Sequence, residues 1–234
     1  MYTKKLLALG LNLIIFILGI IGCTSQFAHG GLPIIRYYTF DSNFIGMLAA
    51  GILAVFQIIS FANDSKKPPV WAILFKYLSA AVLSVTFLVV VFVLSPMYAE
   101  LYGSLSNSYY HMLLNGDMLY QHFLCPVFAI ISVLFTDPSI GPDTVLFGRK
   151  GSAAAAGLIG LIPTIIYAII TITLNITGQL VGPYPFLRVR SQPVWATVLW
   201  CLIIVSAAYF IAFLLARFGR LLKSDEAPQQ SAET

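Results

Sequence analysis

The sequence predicts an all-α polytopic membrane protein, a bundle of six transmembrane helices with both termini in the cytoplasm. Three observations predict it. Of 234 residues, 59% are apolar and only 9% are charged, whereas a soluble domain carries about a quarter charged residues. A chain so poor in charge cannot cover a water-facing surface. Six apolar segments are each long enough to cross a hydrocarbon core as a helix, which takes roughly 20 residues, and none alternates as a membrane barrel strand would. The basic residues stand at segment ends with a strong bias to one side.

The first segment, 6–23, follows Lys4 and Lys5. Its end, Ile20-Ile21-Gly22-Cys23, also resembles a bacterial lipoprotein signal with Cys23 as the lipidated residue. That pattern is short and common, and an ordinary first helix is the reading adopted. The second segment, 44–62, is approached through Asp41-Ser42-Asn43, a good N-cap region. The third, 70–94, carries Lys76 about 9 Å inside at 1.5 Å per residue, close enough to the inner surface to snorkel, with a functional role as the competing reading. The fourth, 118–136, follows Asp117 as a cap. The fifth, 153–174, contains Pro163, and a lone proline kinks a helix more often than it breaks one. The sixth spans 194–216. Connections are short and rich in Pro, Gly, Asn and Ser. One domain is expected over residues 1–223, and residues 224–234 form a polar, disordered cytoplasmic tail.

Orientation follows from counting bases. With the N-terminus inside, that side holds nine: Lys4, Lys5, Lys66, Lys67, Arg149, Lys150, Arg217, Arg220 and Lys223. The other side holds three, Arg36, Arg188 and Arg190. The net charge of +4 is therefore an orientation signal, and no nucleic-acid partner is expected. Cys23, Cys125 and Cys201 lack CxxC spacing and read as small packing residues. No metal site, cofactor or phosphate-binding motif is expected. Asn175-Ile176-Thr177 is an outward-facing glycosylation sequon, meaningful only if the host glycosylates.

Polar groups inside a membrane are expensive, so their positions point to function. Thr39, Asn43, Gly46, Ala50 and Gln57 share one face of the second helix and its approach. His122, Cys125, Ala129, Ser132 and Thr136 do the same in the fourth, and Thr164, Tyr167 and Thr171 in the fifth. Close helix approach and hydroxyl bonding across helices account for most of them. His122 is harder to account for, because an imidazole in an apolar helix needs a partner. Topology puts Thr39 and His122 at similar depth on the outer side, where they form a plausible nucleophile–base pair. A structural histidine bonded to a carbonyl or hydroxyl is the competing reading of the same residues. His29 and His111 fall in outer loops and read as solvated.

Three segments taken in order carry a resemblance: Arg36-Tyr37-Tyr38-Thr39-Phe40, His122 ahead of Pro126, and Pro183-Tyr184-Pro185-Phe186-Leu187. Together they resemble the androgen-induced-gene family of six-span membrane proteins and its prokaryotic relatives. Characterised eukaryotic members are intramembrane threonine hydrolases of fatty acid esters of hydroxy fatty acids. Around the histidine this chain reads Tyr120-Gln121-His122-Phe123-Leu124-Cys125-Pro126, without the Asn-His of those members and closer to the prokaryotic branch. The resemblance implies Thr39 as nucleophile, His122 as base, and an ester that enters sideways from lipid. Asn43, Gln57, Cys125 and Tyr184 are then the candidates for lining the substrate. The expected partners are membrane lipids and a lipid-like ester, and a prokaryotic host would place the chain in its plasma (inner) membrane. Rival readings are a lipid or small-molecule binding or transport protein and a non-catalytic membrane subunit. The oligomeric state is left open.

Overall fold

A computed structural model describes residues 2–63, 66–137, 145–146, 149–150 and 152–224. Residues 225–234, nearly all of the expected disordered tail, lie outside this set. Six helices are long and apolar enough to cross a membrane: α1 (Tyr2–Gly30), α2 (Tyr38–Ala62), α3 (Val70–Met97), α4 (Leu119–Thr136), α5 (Ala153–Ile176) and α6 (Val194–Ser224). The only extended pairing among the described residues is a two-residue antiparallel ladder, Val145–Leu146 with Arg149–Lys150. The connections 31–37, 98–118 and 177–193 gather at one end, called upper here. Residues 63 and 66–69 and the chain's first and last described residues mark the lower end.

Helices run past the apolar windows because backbone hydrogen bonding continues where hydropathy has already fallen. In α1 the helix passes through Cys23, which is buried, and ends only at Gly30. α2 starts at Tyr38, with extended Tyr37 as its cap residue. The expected cap at Asp41-Ser42-Asn43 is therefore displaced into the first turns. There the Ser42 and Asn43 side chains donate to Thr39 O within the first turn and reach inward to Thr86 and Gln121, and neither caps the helix N–H groups. Asp117 likewise lies in the helical turn leading into α4, not at a cap. α5 continues unbroken through Pro163.

α3 is the most enclosed helix and packs against α2, α4, α5 and α6, while α1 leans on α2 and α4. The core is built from small residues such as Ala50, Ala80, Ala81, Ala129, Ala156 and Ala212, as expected where apolar burial gives no preference between helix and lipid. Gly160 lets α5 close onto α6, since a Cβ there would collide with Ala212. Large apolar residues such as Ile17, Ile58, Leu158, Ile170 and Leu202 line the outside, as lipid requires.

Two expectations fail here. Lys76 does not snorkel; it is 1% exposed and faces the bundle interior. Its Nζ has no hydrogen-bond partner among the described residues, and the Asp137 carboxylate acts on it through space. Helix rotation decides this: the face of α3 that carries Lys76 also carries Ser79 and Ala80, which pack inward. Asn175 of the sequon is buried, donating to Leu180 O (2.8 Å) and accepting from the Arg190 N–H (3.3 Å), so its amide is committed within the fold.

Candidate active site

α4 is not a plain α-helix. Its first residues, Leu119–Leu124, form a π-helical turn, so the Cys125 N–H reaches back to Tyr120 O. The next carbonyl, Gln121 O, would pair with residue 126, but Pro126 has no N–H. Asn43 fills the vacancy, donating from Nδ2 to Gln121 O at 3.0 Å and to Thr39 O at 2.9 Å. One buried amide thus ties the residue before His122 to the backbone of Thr39, across two helices. π-Turns of this sort recur at functional sites.

The consequence is a three-way meeting at the upper end. Thr39 Oγ1 stands 3.3 Å from His122 Nε2 and 3.3 Å from the Tyr184 hydroxyl. The Thr39 backbone N–H donates to that hydroxyl at 3.2 Å. His122 Nδ1 lies 2.5 Å from Met112 O in the connection above. A carbonyl only accepts, so Nδ1 carries the ring proton and Nε2 presents its lone pair to Thr39. The 3.3 Å separations are within the looser range that catalytic pairs show before a substrate tightens them. All three side chains are at least nine-tenths buried. Burial pushes the Tyr184 phenol up to about 12, so it remains a donor at any physiological pH.

Pro183 and Pro185 flank Tyr184 in the upper connection, and its ring stacks on Phe186 with centroids 5.3 Å apart. A cleft of about 460 Å³ opens beside the dyad, lined by Thr39, His122 and Tyr184 with Gln26, Tyr37, Met112 and Met118. Of the four candidates for lining substrate, the structure places Tyr184 in this cleft. Asn43, 1% exposed, is the bridge between α2 and α4, and Cys125 is core. Gln57 lies about 21 Å down α2 from Asn43 at 1.5 Å per residue; there its Oε1 accepts from Asn12 Nδ2 at 3.3 Å.

Sequence reasoning missed the Met112 carbonyl and the bridging role of Asn43, which depend on the π-turn. It also missed a second polar cluster at the lower end. Asn12 Nδ2 donates to Asp137 Oδ1 at 2.8 Å, and Ser132 Oγ donates to Asp137 Oδ2. With Gln57 and Lys76, these groups come from three helices and the foot of α4. An asparagine in the middle of the apolar first segment was the available signal. His29 is exposed and bonded to Ser25 O, and His111 stacks on Tyr102; neither approaches the dyad. Among the described residues no group of three His, Cys, Asp or Glu stands together as a metal site.

Comparison of the chain with protein-family models, with curated proteins and with solved structures returns no match.

Proposed function

We propose that this chain is an intramembrane hydrolase of lipid esters, of the fatty-acid-ester-of-hydroxy-fatty-acid type, with Thr39 as nucleophile and His122 as general base. The observation that carries the reading is the Thr39 hydroxyl held between the unprotonated His122 Nε2 and the Tyr184 hydroxyl. Thr39 Oγ1 attacks the ester carbonyl as its proton passes to Nε2. The proton on Nε2 then goes to the departing alkoxide, which leaves as the alcohol. Water, deprotonated by the same nitrogen, cleaves the Thr39 ester to release the acid and restore the hydroxyl. Tyr184 donates to the carbonyl oxygen as negative charge develops on it, the role of an oxyanion donor. Asn43 holds the two helices in register for this.

The same reading carries the finer assignments. The nine-to-three distribution of bases puts the lower end and both termini in the cytoplasm, and the dyad in the outer leaflet. The three short segments around Thr39, His122 and Tyr184 support kinship with the androgen-induced-gene family. In a prokaryotic host the location is the plasma membrane.

The test is labelling by a fluorophosphonate probe in membranes. Wild type labels on Thr39, and Thr39→Ala and His122→Ala do not. Labelling that survives Thr39→Ala overturns the assignment.

A further inference from the structure

Thr39 and Tyr184 line a second space, distinct from the open cleft at His122. This one is an apolar slot among α2, α3, α5 and α6, walled by Val85, Val89, Ile204 and Val205. It has only about 50 Å³ of free room, far below the roughly 300–1,000 Å³ of ligand clefts in general. Beside it, between α2 and α5, lies a groove of about 840 Å³, walled by Ile45, Ile166, Ile170 and Leu174. It exists because α2 and α5 do not pack along their lengths, so it opens to lipid.

The slot and the groove share two lining residues, Tyr38 and Tyr167. Their rings meet edge to face with centroids 5.0 Å apart. Hydrogen bonds latch both: Tyr38 OH meets Thr164 Oγ1 at 2.8 Å, and Tyr167 OH donates to Arg36 O at 2.7 Å with Thr171 and the Tyr38 backbone N–H also engaging it. Rotation of the two rings would merge a lipid-facing groove of ligand size with a slot that ends at Thr39. The Arg36 carbonyl and Thr164 lie on different elements, so the latch also ties α5 to the turn before α2.

We infer that the slot is the site for the acyl chain of the ester, that this chain enters from the bilayer between α2 and α5, and that Tyr38 and Tyr167 form its gate. The inference rests on the reading of Thr39 as nucleophile, and it adds the route and the chain-binding wall. It implies a narrow, unbranched acyl chain on the carbonyl side, because the slot is narrow and its polar lining groups are limited to Thr39, Thr86, Thr164, Cys201, Trp200 and the tyrosines. The alcohol part faces the open cleft at His122.

The experiment uses full-length protein in vesicles with an ester carrying a diazirine on its acyl chain, and maps the photolabel by mass spectrometry. Label is expected on the slot wall at Ile204 and Val205, in wild type and in Thr39→Ala alike. A Tyr38→Cys/Tyr167→Cys variant, in a background with the native cysteines replaced, is then closed by a short thiol-specific bridging reagent. Bridging is expected to cut slot labelling at least tenfold, and reductive release to restore it. Tyr167→Phe keeps the ring and removes one latch, and is expected to raise the rate of slot labelling at least about fivefold, the value of one net hydrogen bond. Label spread evenly over the lipid-facing helices, or slot labelling unchanged by bridging, overturns the gate. Slot labelling that behaves as expected while no fluorophosphonate marks Thr39 leaves the lipid site standing and sinks the hydrolase reading instead.

Discussion

The bundle has two buried polar clusters, one at each end, and they are built differently. The upper one, Thr39, His122, Tyr184 and Asn43, consists of hydroxyls, an imidazole and an amide, and it opens into a cleft. The lower one, Asn12, Gln57, Lys76, Ser132 and Asp137, contains a carboxylate and an ammonium group and lines none of the clefts described above. Both put polar atoms in a membrane interior at a cost. The upper cluster leaves its reactive atoms pointing at space, where a substrate can use them. The lower one turns its groups on one another, which suits it to fixing how α1, α2, α3 and the foot of α4 assemble. Of the two polar clusters, then, the one that faces a cleft is the one we read as functional.

This contrast predicts that variants at the two ends fail in different ways. The largest effect is expected for Thr39→Ala and His122→Ala, which should lower ester turnover by roughly 10⁴-fold or more, as loss of a covalent nucleophile or its base does elsewhere. Their thermal unfolding in detergent should stay near wild type. A large loss of stability instead would make the upper cluster structural too and erase the contrast.

Next comes Asp137→Ala, which removes the acceptor of the Asn12 and Ser132 bonds and the carboxylate that acts on buried Lys76 through space, and should cost about 1–3 kcal/mol of stability. Turnover per folded molecule should be unchanged. The double variant Lys76→Met/Asp137→Ala should recover the share of that loss that belongs to Lys76, because it removes both groups. A double variant as unstable as the single one would show that the Asp137 hydrogen bonds to Asn12 and Ser132, and not the charge, hold the lower end.

Tyr184→Phe keeps the ring stack and removes one donor, so turnover should fall about 10²–10³-fold, and the Thr39 N–H loses its acceptor at a cost of about 1–3 kcal/mol. The fall should appear in kcat more than in KM, since the bond to the carbonyl oxygen strengthens only as charge develops. Asn43→Ala unlinks α2 from α4 and leaves Gln121 O without its partner, a cost of about 1–3 kcal/mol. Being a positioning residue, Asn43 should affect both turnover and stability, midway between the two classes.

The smallest effect is a pH response. The Tyr184 phenol is shifted from 10.0 to about 12 by burial, so the folded state favours the neutral form. The associated stability is complete below pH 10 and is lost as pH rises from there toward 12. Tyr184→Phe should remove that component of alkaline unfolding, which a denaturation series at pH 9 and 11 would measure.

Much of this was legible in the residues. Six spans, the polar faces of the second and fourth helices, and the pairing of Thr39 with His122 at one depth all follow from composition and helical period. The reading failed where the answer depended on rotation or on neighbours. Lys76 sits close enough to the lower surface to reach it, yet its helix turns it inward toward Asp137. Asp41, Ser42 and Asn43 have cap chemistry, but the turn at 32–36 starts the helix earlier and frees Ser42 and Asn43 for bonds to Thr86 and Gln121. Gln57 shares a face with Asn43 but not a neighbourhood, because a periodic face says nothing of distance along the axis.

By itself, then, the sequence determined that the chain is a bundle of six apolar helices, because hydropathy and span length are local properties of composition. It also determined which faces are polar, because 3.6-residue periodicity is written in the spacing. Only the tertiary structure decided what those faces meet. The π-turn and Pro126 leave one carbonyl unpaired, Asn43 takes it, and that bond sets the contact of Thr39 with His122. The Met112 carbonyl fixes the imidazole tautomer, and Tyr184 arrives from a loop more than 140 residues from Thr39. Such contacts depend on the rotation and register of packed helices, which no single segment encodes.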